Sequence, residues 1–363
     1  MALALTHSRA MQKIRQNSLE YRLAVGAFLF LAVQPAGAVI LHPDGEPNLA
    51  TWTDRPSEQV VGLWGDFSCC VAISSDCVIA TRHQMGWVNM PVTIGGRTYP
   101  VAEMWDHDTA DLRIARLRGA NLSHFVGIYV GGAEVGEQVV IAGYGLGRGR
   151  ALQRDGIVYG YEWDNPDKAT LRFGTNRIHQ VEDDAGLDDM ISDILIADFD
   201  GLNEGASTPY ECTLGGHDSG GGWFIKTGRT WKLAGLSRAV DIHYEPGHDG
   251  DPNYALHEAW FRESWTPEIL RPDHLDAVRI GSYARWINDT LLAPLPGDLN
   301  GDDRVDFADF ALFADHWLRT DCRPPDWCLR ADFEPDGCVD WADLAQLAYL
   351  WLRADPAANS PLP

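Results

Sequence analysis

Three short stretches carry side chains that together could do nucleophilic chemistry. Cys77-Val-Ile-Ala-Thr-Arg-His83 is an apolar run ending in histidine. Ala110-Asp111-Leu112-Arg-Ile-Ala-Arg-Leu117 sets an aspartate directly before another apolar run. Gly215-Gly-His217-Asp218-Ser219-Gly220-Gly221 surrounds a serine with glycines. A serine hydroxyl is a weak nucleophile at neutral pH and needs a neighbouring base to take its proton. Histidine, titrating at about pH 6.5, can accept that proton and return it. A buried carboxylate fixes the imidazole tautomer and stabilises its charged form. Glycines beside the serine let backbone N–H groups approach a developing oxyanion. Singly, these are a histidine after a strand, a turn aspartate and a plain loop. Their joint occurrence in the order His, Asp, Ser points to chemistry. Of Asp106, Asp108 and Asp111, only Asp111 directly precedes the strand pattern.

A second constellation lies near the C-terminus, where a segment is duplicated at an offset of 34 residues. The first copy places oxygen side chains at loop positions 1, 3, 5, 9 and 12: Asp298, Asn300, Asp302, Asp306 and Asp309. The second places Asp332, Glu334, Asp336, Asp340 and Asp343 at the same positions. Backbone carbonyls at position 7, Arg304 and Cys338, complete an EF-hand-like shell for calcium. A tight turn folds alternate side chains inward around one ion, and the converging carboxylates would repel without a cation. Position 12 is Asp rather than Glu, a shorter reach, and Asp303 stands at position 6 where glycine is usual. Val305 and Val339, at position 8, are expected to pair the two loops. After each loop an apolar stripe at helical spacing follows, with Phe310, Phe313, Ala314, Trp317 and Leu318 in the first copy.

The triad motifs resemble the chymotrypsin/trypsin-like serine protease family over residues 39–292. Ile141-Ala-Gly143-Tyr144-Gly145 is similar to that family's strand motif ending in Gly-aromatic-Gly, and Ser282–Asn288 to its C-terminal helix. The resemblance implies a chymotrypsin-like double β-barrel, a secreted endopeptidase acting on protein or peptide, and catalytic roles for His83, Asp111 and Ser219. It implies an oxyanion hole from the backbone N–H groups of His217 and Ser219. His217 stands where the family has glycine, so a non-glycine residue must take the required conformation. Asp218 in this family pairs with a cation that shapes the pocket, commonly a new N-terminus. No Ile-Val-Gly-Gly activation sequence is present, although leader cleavage would expose Val39. Thr213 falls at the base of the primary pocket and Ser237-Arg238-Ala239 along its side. With no acid at Thr213, a strong Arg/Lys preference is not indicated. Gln84 replaces the family's cysteine beside the histidine, so the usual disulfides are absent; Cys69 or Cys70 could bridge Cys77 instead. Two rivals remain open: a catalytically degenerate protease-fold binding protein, and another serine hydrolase. The absence of Gly-x-Ser-x-Gly and the His-Asp-Ser order oppose an α/β-hydrolase.

The loop-helix repeat resembles a type I dockerin, a small all-α calcium-binding module, over residues 298–353. The resemblance implies two calcium ions and a cohesin-like docking partner. Family contact positions 10 and 11 fall on Phe307-Ala308 and Trp341-Ala342, apolar rather than the small hydroxyl pair of cellulosomal members. Cys322 and Cys328, between the repeats, are expected to pair, leaving Cys338 odd.

The elements that must position these residues are also legible. The chain has 363 residues and a net charge of −23, which argues against nucleic acid or anionic membrane as partners. Hydrophobic residues at 45% and charged ones at 22% exclude wholesale disorder. From about Val60 to Ala239, short apolar runs alternate with Gly, Asp, Asn and Pro, the pattern of a mainly β barrel or sandwich. Residues 1–38 read as a signal peptide: Arg9, Lys13, Arg15 and Arg22 precede an 11-residue apolar run, and small residues at Ala36 and Ala38 suit cleavage. That run is too short to span about 30 Å of hydrocarbon, so export without a membrane span is expected. A linker at 293–297, the acidic module at 298–353 and a tail at 354–363 complete the expected organisation. The module holds 13 acidic residues, five arginines and no lysine.

Overall fold

The computed structural model describes residues 39–66, 68–163, 170–245, 254–291, 297–300, 305–323, 327–334 and 336–354. The expected leader, nearly all of the linker and tail, and the loop positions Asp302 and Arg304 lie outside them.

Twelve strands form two closed barrels. The first contains β1 (Val61–Trp64), β2 (Ser68–Ala72), β3 (Cys77–Ala80), β4 (Pro91–Ile94), β5 (Arg97–Asp106) and β6 (Arg113–Leu117). Its order around the ring is β1-β2-β3-β6-β5-β4. The second contains β7 (Gln138–Gly143), β8 (Arg172–Leu187), β9 (Met190–Asp198), β10 (Gly222–Thr227), β11 (Thr230–Val240) and β12 (His274–Arg279). Its order is β7-β8-β9-β12-β11-β10, the same permutation of six antiparallel strands. Closure leaves neither barrel with an unpaired edge. Short strands at Ile40–Leu41 and Cys212–Thr213 pair outside the barrels.

Burial on both faces explains why β2 and β3 read as nearly continuous apolar runs rather than alternating ones. Successive side chains of one strand point to opposite faces. In β3, Val78 and Ala80 join a cluster belonging to the first barrel, with Trp64, Val92 and Val101. Cys77 and Ile79 join a cluster shared by both barrels, with Ile114, Phe173, Phe224, Leu236 and Val278. Helix α1 (Ala284–Leu291) follows a 3-10 turn at Ile280–Tyr283 and buries Ile287 in that shared cluster. This is the single terminal helix the sequence indicates.

Helices α2 (Phe307–Asp315) and α3 (Trp341–Ala354) follow the two acidic loops. Asp306 and Asp309 form a reciprocal capping box at the start of α2. Val305, Phe313, Ala331, Val339 and Leu347 make a separate small cluster with the Cys322–Cys328 disulfide. Both loop valines are therefore in one core. The backbone of Val339, however, pairs with Leu318 and Arg319, the segment after α2.

Cys69, Cys70, Cys77 and Cys212 are free and buried, and Cys338 is free. The bridge expected from Cys69 or Cys70 to Cys77 is not formed. The β2–β3 register puts Val71 opposite Ile79, and the Ile73 amide bonds to the Cys77 carbonyl. Cys77 thus sits beyond the end of β2, too far along the strand for the roughly 5–6 Å Cα separation a disulfide needs. Among the described residues, no helix is long and apolar enough to cross a membrane.

Candidate active site

The barrels bring His83, Asp111 and Ser219 to one place. His83 lies just past the end of β3, and Asp111 just before β6. These strands are antiparallel neighbours, with Ala80 opposite Arg113, so an exit and an entry share one end of the first barrel. Ser219 lies just before β10 of the second barrel. His83 Nδ1 stands 2.6 Å from Asp111 Oδ2, and His83 Nε2 stands 2.7 Å from Ser219 Oγ. An ionised carboxylate only accepts hydrogen bonds, so it draws the ring proton to Nδ1 and leaves the Nε2 lone pair for the serine hydroxyl.

Asp111 is fully buried. Its Oδ1 also accepts the His83 backbone N–H at 2.9 Å, and its own N–H donates to Ser192 Oγ on β9 at 2.9 Å. The aspartate is thereby tied to the second barrel as well as to its own. Ser192 carries no sequence signal, since its role depends entirely on the docking of β9.

The loop that carries Ser219 is held from the first barrel. The Cys69 N–H donates to the Ser219 carbonyl at 2.9 Å. Gln84 Nε2 donates to that same carbonyl and, at 3.2 Å, to the Cys69 carbonyl. Gln84 was legible only as a departure from the family cysteine; here its amide clamps the serine's backbone to β2. Gly220 has φ +75°, and a Cβ there would lie 2.2 Å from the Cys69 carbonyl oxygen. No other residue fits that approach. His217 also takes a positive φ, +74°, at a cost of about 1–2 kcal/mol for a residue with a Cβ. Its side chain is exposed.

Asp218 is buried against three backbone donors: Gly215 N and Gly145 N, each 2.9 Å from it, and Val39 N at 3.2 Å. Burial pushes its carboxyl up to about 7 despite those donors. The Gly-Tyr-Gly motif is explained by the same side chain: a Cβ on Gly145 would lie 2.6 Å from the Asp218 carboxyl carbon.

Beside Ser219 is a cavity of about 250 Å³, lined by Trp163, Leu214, Gly216, Arg238, Val240 and Ile242 among others. Thr213 does not line it. It is fully buried, opposite Ile40 in the short outer strand pair, and its neighbour Leu214 reaches the cavity instead. Ser237 is buried and its hydroxyl accepts from Trp223 Nε1 at 3.1 Å. Arg238 lines the cavity, but its guanidinium is committed to Asp276 through contacts of 2.7 and 3.1 Å.

The repeated acidic loops keep parallel geometry where described. Asp309 Oδ1 accepts the Leu299 and Asn300 amides at 2.7 and 3.2 Å, and Oδ2 that of Asp306 at 2.8 Å. Asp343 does the same with Phe333, Glu334 and Asp340 at 2.6, 3.0 and 2.8 Å. Asp298, Asp309, Asp332 and Asp343 are all buried, while Asn300 is exposed. Asp306 and Asp340 cap α2 and α3 through the Ala308 and Ala342 amides, each at 2.8 Å. Asp336 Oδ1 accepts the Cys338 N–H at 2.9 Å.

No protein-family model matches the chain, and no curated protein matches it. Among solved structures it is similar to neuropsin, a serine protease expressed in the limbic system of mouse brain. Identity is 16%, over 65% of this chain and 95% of that one, with a TM-score of 0.42.

The clamp at the nucleophile makes a specific expectation. Gln84→Ala removes two carbonyl partners, each contributing about 1 kcal/mol. Turnover should fall about tenfold or more while the fold persists. Unchanged kcat on any cleaved substrate would show that Gln84 does not position Ser219.

Proposed function

We propose that the chain is an exported serine endopeptidase. The observation that carries this reading is the unbroken line Asp111–His83–Ser219, with contacts of 2.6 and 2.7 Å, assembled from both barrels. Ser219 Oγ attacks a peptide carbonyl carbon as His83 Nε2 takes the hydroxyl proton. Buried Asp111 stabilises the resulting imidazolium. The carbonyl oxygen becomes an oxyanion facing the Ser219 and His217 backbone N–H groups. Its collapse expels the amine, which takes the proton from His83 and leaves an acyl ester on Ser219. Water then repeats the sequence and releases the acid. The cavity is lined largely by apolar side chains, and Arg238 is neutralised by Asp276. That lining supports an uncharged, apolar side chain on the acyl side of the cleaved bond. A binding protein without catalysis would have no need of the tautomer-fixing contacts at both ring nitrogens.

Removal of a leader after Ala38 would complete the site. Val39 N already lies 3.2 Å from Asp218 Oδ2, and Val39 is buried. Within a continuous chain Val39 has φ +46°, an unfavourable conformation for a β-branched residue. A chain beginning at Val39 has no such torsion. Its ammonium would hold buried Asp218 ionised and fix the loop from Gly215 to Ser219.

The C-terminal segment supports a calcium-dependent dockerin reading. Four buried carboxylates sit in a module of 13 acids and five arginines, and buried charge of one sign needs a counter-ion. The donors are all hard oxygens, which suit calcium. The Phe307 and Trp341 side chains, one after each loop, are 77% and 73% exposed. They support an apolar docking face for a cohesin-like partner.

Three outcomes test the reading. Ser219→Ala should abolish fluorophosphonate labelling and lower casein cleavage by about 10⁴-fold or more, with Asp111→Asn losing a similar factor. Labelling that persists in Ser219→Ala would end the assignment. Protein beginning at Val39 should be active, and protein retaining one residue before it should lose most of that activity; equal rates would remove the Val39–Asp218 role. In the Ser219→Ala background, chelator should expose residues 298–354 to added protease while the barrels resist. A segment equally protected in chelator would refute calcium-dependent folding.

A further inference from the structure

His179, Asp198 and His274 come from three adjacent strands of the second barrel, β8, β9 and β12, and the candidate active site uses none of them. Asp198 and His274 are directly opposed in the β9–β12 ladder. The β8–β9 register shifts between Ile178 and Gln180, so His179 is the extra residue of a β-bulge. Bulges re-aim a side chain out of the regular alternation, and this one sets His179 beside Asp198. His179 Nδ1 is 3.4 Å from Asp198 Oδ2, and His274 Nε2 is 3.5 Å from Asp198 Oδ1. One ligand atom from each of the three lies within 4.8 Å of the others.

We propose that this trio is a binding site for a divalent transition-metal ion of the zinc class. Three features of its chemistry point there. The first is tautomeric. His274 Nδ1 lies 3.1 Å from Asp241 Oδ2, an acceptor, which draws the ring proton to that side. The lone pair of Nε2 then faces Asp198 Oδ1. That oxygen is buried and has no hydrogen-bond partner. Two electron pairs facing each other at 3.5 Å make a place where a bound cation is favoured. The second is spacing. Ligands held about 2.0–2.1 Å from a tetrahedral zinc ion lie about 3.3–3.4 Å apart, and His179 Nδ1 and His274 Nε2 lie 3.4 and 3.5 Å from the two oxygens of Asp198, one oxygen facing each imidazole. The third is the ligand set. Two imidazoles and a carboxylate suit zinc and its neighbours rather than calcium or magnesium, which take oxygen. A carboxylate behind a ligating histidine, as Asp241 stands behind His274, orients the ring and raises its basicity. The side chains of His179, Asp198 and His274 are 33%, 31% and 60% exposed, so an ion can enter and at least one position stays open to water.

Asp241 lies between Val240 and Ile242, which both line the cavity beside Ser219. The bound ion would therefore anchor, through His274 and Asp241, the strand end that borders the cavity.

The test uses the full chain carrying Ser219→Ala, with calcium in excess to occupy the acidic loops. Zinc chloride is titrated by calorimetry, and cobalt(II) chloride by visible absorption. The parent should bind, and His179→Ala and His274→Ala should each lose one equivalent and its share of the cobalt band. Asp198→Asn keeps the shape of the side chain and should weaken that equivalent about 100-fold or more. Asp241→Asn should weaken it about tenfold or more. Far-UV circular dichroism confirms that each variant is folded, and the two isosteric amides decide the matter if an alanine variant is not. A parent that binds no zinc would overturn the proposal and leave a protonated His274 bridging two carboxylates. So would variants that bind with the parent's stoichiometry and affinity.

Discussion

The docking of one barrel on the other is the constraint on which the remaining features depend. Its apolar part is a single cluster in which Val71, Ile79 and Ile114 meet Phe173, Phe224 and Val278. Its polar part includes Cys69 N–H and Gln84 Nε2 to the Ser219 carbonyl, Asp111 N–H to Ser192 Oγ, and the Ile191 N–H to the Thr109 carbonyl. Two of the three triad side chains belong to the first barrel and one to the second. Their hydrogen-bonded line exists only while the cluster is buried. Packed cores do not deform continuously, so a geometry set by that interface is held within narrow limits without any disulfide between the barrels.

Buried carboxylates recur in this chain, and each is stabilised differently. Asp111 faces His83 and a backbone amide. Asp276, half-buried, takes a bidentate guanidinium from Arg238. Asp218 has three backbone amides and no charged partner within the described residues, and burial pushes it up to about 7. The backbone N–H of Val39 is among those donors, 3.2 Å from Asp218 Oδ2. Asp309 and Asp343, like Asp218, rest on backbone amides, in a module whose net charge is strongly negative. Amide dipoles reduce the cost of such burial but do not neutralise it.

The cysteines divide the chain in the same way. Three buried thiols lie in the first barrel and a fourth, Cys212, packs on the core of the second, where large apolar clusters supply stability, and burial raises the pKa of all four. The Cys322–Cys328 disulfide belongs to the small C-terminal cluster. A core that small buries too little apolar surface to offset chain entropy alone and needs a covalent or ionic staple.

Much of this was legible in the residues themselves. Short apolar runs broken by Gly, Asp and Asn indicated a mainly β chain, because fully buried strands need no polar face. His83, Asp111 and Ser219 stood out because each abuts a strand and sits in a motif whose neighbours have chemical reasons. The duplicated acids were visible because the same spacing of oxygen side chains recurs 34 residues on. What the residues alone left undecided was everything that depends on register and docking. Cys77 could not be excluded from pairing until the β2–β3 register placed it beyond β2. Thr213, six residues before Ser219, gave way to Leu214 at the cavity because the short strand pairing with Ile40 turns it inward. Gln84, Ser192 and the trio of His179, Asp198 and His274 have no local signature. Their partners are distant in sequence, and only closed barrels, a bulge and the packing of one barrel on the other bring them within reach.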